Sequence, residues 1–331
     1  MTSTLYPLIK NETIKILKKK RFHVIVLVLA ILIPIFTYAQ MQSAQEQAKQ
    51  FGTTDWRVKT QQQIYDMTNR LGSARVPEEW KQYMTVQIQQ LQYYLDHDVD
   101  PRSPNGVTFV RFFLTDSVTL FIPLLVLAIA SDLVSGERTT GTIKMLLTRP
   151  VSRWKILASK LITLGLFVSL IITLTIVMAY LIAGAFFGYG GWDMPVFTGF
   201  QLSGTEVDNS NVHAVNQFLY ILMQGGLSWF SAMTIACLAM MVSVLVRSTA
   251  ASIVIMMASV ISGLILVNMA QSWETAKYLF VVNLDLLDYL SGQLPPIEGM
   301  SLSFSMMVLA VWALISLVVS FAVFTKQDIL N

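Results

Sequence analysis

The chain has 331 residues, 54% of them hydrophobic and only 13% charged, with a formal net charge of +3. A soluble domain carries about 25% charged residues, and the shortfall here collects in runs long enough to cross a bilayer, each needing about 20 apolar residues. An ordinary soluble domain is therefore excluded, and so small a net charge beside apolar runs points away from nucleic acid. A spanning β-barrel would show segments of about ten residues with alternating polarity. These runs are continuous, so the expected class is an all-α membrane protein. Cys237 is the only cysteine, which removes intrachain disulfides and cysteine-based zinc sites, and His23, His97 and His213 match no metal spacing.

Residues 1–21 mix Leu5, Ile9, Ile14, Ile16 and Leu17 with Lys10, Lys15, Lys18, Lys19, Lys20 and Arg21. That pattern predicts a basic amphipathic helix in the membrane surface. Residues 22–39 form the first span. The run is too long for a secretory signal, whose apolar core covers about 7–15 residues, and Pro34 is a point for a kink. Residues 40–111 are polar and Gln-rich. Ile64, Met67 and Leu71 share one helical face, and Trp80, Met84, Ile88, Leu91 and Leu95 share another. Pro77-Glu78-Glu79 starts the second of these helices. The expectation is a helical hairpin outside the membrane, and its many basic residues do not oppose that, because long segments translocate largely regardless of charge. Asp96, Asp98 and Asp100 imitate the start of a calcium loop, but Pro101 and Val107 stand where Gly and Glu are needed. A solvated turn is expected there, and no metal site.

The second span is expected at 112–130, with Asp116 near its outer end. A basic loop, 131–160, follows, then a third span at 161–187. The segment 188–216 has three acids and no Lys or Arg and reads as outside. A fourth span, 218–246, ends at Arg247. A tight turn leads to the fifth, 253–270. Residues 271–301 are apolar but broken by Asp285, Asp288, Pro295 and Pro296. They read as an outer or re-entrant segment, tolerated at membrane depth only under protein cover. The last span is 302–324, with a short tail, 325–331. Basic loops stay in the cytoplasm, so six transmembrane helices place both the N- and the C-terminus there, with the hairpin extracytoplasmic.

Spans three to six carry no charged residue in their cores, which argues against a proton relay. There is no G-x-x-x-x-G-K-[ST], H-E-x-x-H or G-x-S-x-G, so neither a nucleotide loop nor a hydrolase site is expected, and the chain reads as no enzyme. Gln224, Ser228, Ser231 and Thr234 share one face of the fourth span. They either line a translocation path or hold helices together.

The basic loop carries the most order. Gly136 stands where a helix C-cap belongs. Thr142–Thr148 predicts a short helix with Ile143, Met145, Leu146 and Leu147 as its apolar residues. Pro150 stops it, and Ser152 caps the next helix. Gly136-Glu137-Arg138, Gly141-Thr142, Leu146-Leu147, Arg149-Pro150-Val151-Ser152-Arg153, Ile156-Leu157 and Lys160 resemble the signature of the ABC type-2 permeases, membrane subunits of bacterial ABC exporters.

The resemblance implies a permease working as a dimer, with a second copy or a paralogue, in the bacterial cytoplasmic (plasma) membrane. It implies a separate ABC ATPase subunit that holds ATP and magnesium, while this chain binds no cofactor itself. Glu137, Arg138, Gly141, Thr142, Ile143, Met145, Leu146, Leu147, Arg149, Pro150 and Arg153 become the coupling element, with Glu137 and Arg138 pairing near the gate and the apolar residues seated in the ATPase. The path then follows the dimer interface along spans one, two and five. A membrane-anchored sensor or assembly protein with a ligand-binding outer hairpin, and an ion-coupled secondary transporter, are the alternatives.

Overall fold

The computed structural model describes residues 5–52, 55–73, 76–147, 150–203, 206–269 and 273–326. The polypeptide is mostly helical. Helix α1 (Leu5–Lys18) is followed by a turn at Lys20, whose positive φ breaks the backbone before α2 (Arg21–Phe51). Helix α2 runs well past the expected end of the first span, and Pro34 lies inside it. Next come α3 (Trp56–Leu71), capped by the Asp55 carboxylate on the Arg57 amide, and α4 (Glu78–Asp96), which starts directly after Pro77. The expected hairpin is present. Trp80 stays exposed, while Met84 is buried.

The second span differs from expectation. It is two helices, α5 (Gly106–Ser117) and α6 (Phe121–Ala130), bent by 65° between them. Asn105 caps α5 by accepting from the Thr108 amide, so the helix begins six residues before the apolar run. Asp116 therefore falls in the last turn of α5, at the bend. Helices α7 (Ser135–Thr139) and α8 (Thr142–Leu147) form the elbow, and α9 (Arg153–Phe187) is one continuous helix. Helices α10 (Gln217–Leu245), α11 (Thr249–Met269) and α13 (Leu302–Lys326) match the remaining apolar runs, and α12 is the single turn Asp288–Ser291. Among the described residues, five helices are long and apolar enough to cross a membrane, six if the bent pair counts as one. Residues 327–331, most of the expected tail, lie outside the described residues.

Two small antiparallel ladders correct the all-α expectation. Strand β1 (Pro195–Thr198) pairs with β4 (His213–Asn216), Thr198 opposite His213, and β2 (Gln201–Ser203) pairs with β3 (Glu206–Asp208). Strands this short are marginal alone. They are held by α4: the Tyr94 hydroxyl accepts from the Phe197 amide, the Gln89 side chain accepts from the Val207 amide, and Tyr93 packs edge-on against Phe197 and Phe200. Gln90 of α4 donates to the carbonyls of Ser291, the last residue of α12, and of Gly292 after it. The hairpin is thus fastened to the strands and to the broken segment.

Helix α10 is the hub, packed on α5, α6, α9, α11 and α13. It is also the span richest in buried polar side chains. By contrast α2, α11 and α13 expose outward stripes such as Val24, Leu27 and Ile31, or Met307, Val311, Leu314 and Val318. An apolar solvent such as lipid satisfies those stripes without cost.

Candidate functional site

The elbow grows out of α6. Asp132 follows that helix and gathers Lys19 Nζ at 2.6 Å, Arg21 Nη2 at 3.0 Å and Thr249 Oγ1 at 3.3 Å. A Cβ on Gly136 would collide with this carboxylate, which the three partners hold in place. Gly136 is therefore glycine because of Asp132, and it lies inside α7 rather than ending a helix. The glycine that ends a helix is Gly141, at φ +72 between α7 and α8, a left-handed conformation that costs glycine no steric penalty.

Glu137 points to the interior and meets two cations, Lys15 of α1 at 2.7 Å and Lys160 of α9 at 2.8 Å. Glu12 of α1 joins the same two lysines, at 2.7 Å and 2.8 Å. Lys160 is 0% exposed, Glu12 4% and Glu137 6%. Two acids and two lysines thus form a closed, charge-balanced ring across three helices. Burial alone would lower the Lys15 pKa, but Glu137 and Glu12 outweigh it and hold Lys15 above the usual lysine range. The pairing expected between Glu137 and Arg138 is replaced by this ring.

The elbow is fastened on its other side too. Ser243 of α10 accepts from the amides of Val134 and Ser135 and donates to the Ser131 carbonyl. Thr139 donates to the Arg247 carbonyl in the turn before α11. Ser152 stands at the N-cap of α9 without a side-chain capping bond, and Arg153 donates to the Thr325 carbonyl at the end of α13. So the segment 131–153 touches α1, α9, α10, α11 and α13, which explains how one short loop can address most of the bundle.

The expected coupling residues divide. Glu137 is in the ring. Thr142 donates to the Glu137 carbonyl, and Gly141 and Pro150 are exposed. Ile143, at 4% exposure, packs into the protein's own core, while Met145 is 68% exposed. The apolar set therefore does not form one outward face. The backbone of Leu146 and Leu147 completes α8, and Arg149 lies outside the described residues.

Gln224, Ser228, Ser231 and Thr234 are all buried in α10. Gln224 donates to the Arg111 carbonyl and to Thr115 of α5, Ser231 to the Leu284 carbonyl, and Thr234 to the Phe230 carbonyl of its own helix. Gln224 thus joins α10 to α5 and Ser231 joins it to the segment 271–301, while Thr234 bonds within its own helix. Sequence reasoning missed Glu12, Lys15, Lys19 and Arg21 as partners of the elbow. Its one available signal was a pair of acids and a pair of lysines in segments otherwise reading as surface or membrane.

The family model described as "Protein of unknown function (DUF2705)" matches residues 79–330. The chain belongs to the DUF2705 family. A DUF2705 match corrects the resemblance to the ABC type-2 permeases: the signature-like residues are real, but the family they sit in is this one. The protein is similar to "Uncharacterized protein YhcI" of Bacillus subtilis (strain 168), 28% identical over 338 residues that cover 98% of this chain and 99% of the relative. It is also similar to "Uncharacterized membrane protein YdbK" of the same organism, 29% identical over 217 residues, 65% of this chain and 80% of the relative. The apolar helices and a relative named as a membrane protein agree that this DUF2705 chain is a multi-pass membrane protein.

Proposed function

We propose that this chain is the membrane-spanning subunit of a transport assembly, moved from the cytoplasmic side by a separate ATP-hydrolysing partner that presses on α7–α8. The observation that carries the reading is the elbow. A force applied to it reaches α1 and α9 through the Glu12–Lys15–Glu137–Lys160 ring and reaches α10 and α11 through Ser243 and Thr139. Nothing in the sequence offers a nucleotide loop of its own, so energy would enter at a surface, and Met145 offers an exposed apolar one. With α7–α8 in the cytoplasm, six crossings put both termini there and the α3–α4 hairpin outside. A second copy or a paralogue would complete the path in the bacterial plasma membrane, covering exposed stripes on α2 and α11.

Glu137→Ala is a poor test, because it leaves Lys160 buried beside one acid instead of two and unsettles the fold. Met145→Glu is better, since it changes an exposed side chain. The chain, affinity-tagged and purified from its native membranes, is expected to bring ATP hydrolysis with it. Met145→Glu should cut that activity about tenfold at equal yield, as for an anchor lost from an apolar pocket. If no ATPase copurifies, or the variant retains it all, the reading is wrong.

A further inference from the structure

Between α2 and α5 lies a cavity of about 450 Å³, within the usual range of small-molecule sites of about 300–1,000 Å³. One wall is the α2 face Phe36, Gln40, Ser43 and Gln47. The other is the α5 face Phe109, Phe112, Phe113 and Asp116, with Phe187 of α9 closing it. Residues three, four and seven apart share a helix face, so each wall is one continuous stripe. Five phenylalanines supply apolar surface and ring faces. Phe113 is stacked on Phe109 at 5.6 Å and meets Phe36 edge-on at 5.7 Å.

Among the described residues, two charged side chains line the cavity. Arg102 precedes α5, and Asp116 lies in its last turn, about 15 Å along the helix from its start at 1.5 Å per residue. Both are exposed, and no described residue gives Asp116 a hydrogen bond or an ion pair. Arg111 does not answer it: that side chain is on another face of α5, stacked toward Tyr220 and bonded to the Pro101 carbonyl. The surroundings add more negative charge. Asp116 sits at the C-terminal end of α5, the negative end of the helix dipole. Of the two carboxyls near it, Asp288, pushed up to about 6 by burial and then by Asp116, is still largely ionised at neutral pH, whereas Asp285, pushed up to about 8 by burial and then by Asp288, is protonated there and adds no charge. An ionisable side chain at a helix break inside a membrane span is costly and marks a path or ligand site.

We propose that this cavity binds organic cations, holding an aromatic or aliphatic body among the phenylalanines and the positive charge against the Asp116 carboxylate. Aromatic faces attract such cations in addition to the carboxylate, and Gln40, Ser43 and Gln47 give a neutral polar edge that tolerates varied substituents. The site names a ligand class and does not depend on what drives the chain, so it stands or falls apart from ATPase coupling.

The test uses the full chain in nanodiscs of neutral lipid, with radiolabelled tetraphenylphosphonium as the probe and empty nanodiscs to subtract partitioning. Saturable binding is expected. Asp116→Asn should weaken it about tenfold or more, and Asp116→Glu should hold it within about threefold. Tetraphenylborate, of the same shape and opposite charge, should not displace the probe. Absence of saturable binding, equal binding by Asp116→Asn, or displacement by tetraphenylborate would each overturn the proposal. Should Asp116→Asn not elute as a single species, Gln40→Trp decides, because it fills the cavity from the α2 wall without touching a charge. Lost binding then supports the site and retained binding refutes it.

Discussion

The molecule handles charge in opposite ways at two places. At the elbow, Glu12, Glu137, Lys15 and Lys160 are buried together, and every carboxylate has a cation within 2.8 Å. In the cavity between α2 and α5, Asp116 has no such cation. A closed ring fixes three helices in one relation, whereas an open carboxylate is available to something else. On the proposed reading, the elbow serves mechanics and the cavity serves recognition.

The strongest way to break this contrast is to unbalance the ring. Lys160→Met leaves Glu12 and Glu137 buried with Lys15 alone and should cost about 3–5 kcal/mol, the usual penalty for stripping one partner from a buried ion pair. It would be read as a large fall in melting temperature in detergent. The same loss is not expected of Asp116→Asn, and an equal loss there would erase the contrast. Next in size is Gly136→Ala, whose methyl meets the Asp132 carboxylate while Lys19, Arg21 and Thr249 hold it. About 1–3 kcal/mol is expected for such overpacking. Replacing Asp132 by Gly in the same chain should recover part of it.

A smaller effect follows from pH. The folded protein raises the Asp285 and Asp288 carboxyls to about 8 and about 6, so it favours their protonated forms. The stability this gives is complete below the ordinary carboxylate range and is lost as pH rises through about 6 and then about 8. Asp116 and the Tyr83 and Tyr289 hydroxyls share this neighbourhood. Melting temperature should decline between pH 5 and pH 9, and Asp285→Asn should flatten the upper part of the decline. The smallest effect is that of Met145→Glu, expected within about 0.5 kcal/mol because the site is exposed.

Much of this was legible in the chain itself. Five continuous apolar runs fix α2, α9, α10, α11 and α13, and the Pro77 start and apolar period fix α4. The bend in the second span did leave a trace, because Thr115, Asp116, Ser117 and Thr119 interrupt the apolar run 112–130 at the break, but so short a polar patch does not by itself separate one kinked span from two helices. The strands escaped because each is three or four residues long and depends on Tyr94 and Gln89, more than 100 residues away in sequence. The ring escaped for the same reason: Lys15 and Glu137 are 122 residues apart, and no local pattern joins them. The cavity walls do have a readable helical period. Each wall, however, runs across the expected boundary between membrane and polar segment, which split the stripe in two.

The central claim is that the elbow faces the cytoplasm, where a partner can press on it. Met145→Cys tests it directly, since Cys237 is buried and Met145 is exposed. A membrane-impermeant maleimide applied to intact cells should leave the variant unlabelled and should label it once the cells are permeabilised. Full labelling in intact cells would put the elbow on the outer side and contradict the account.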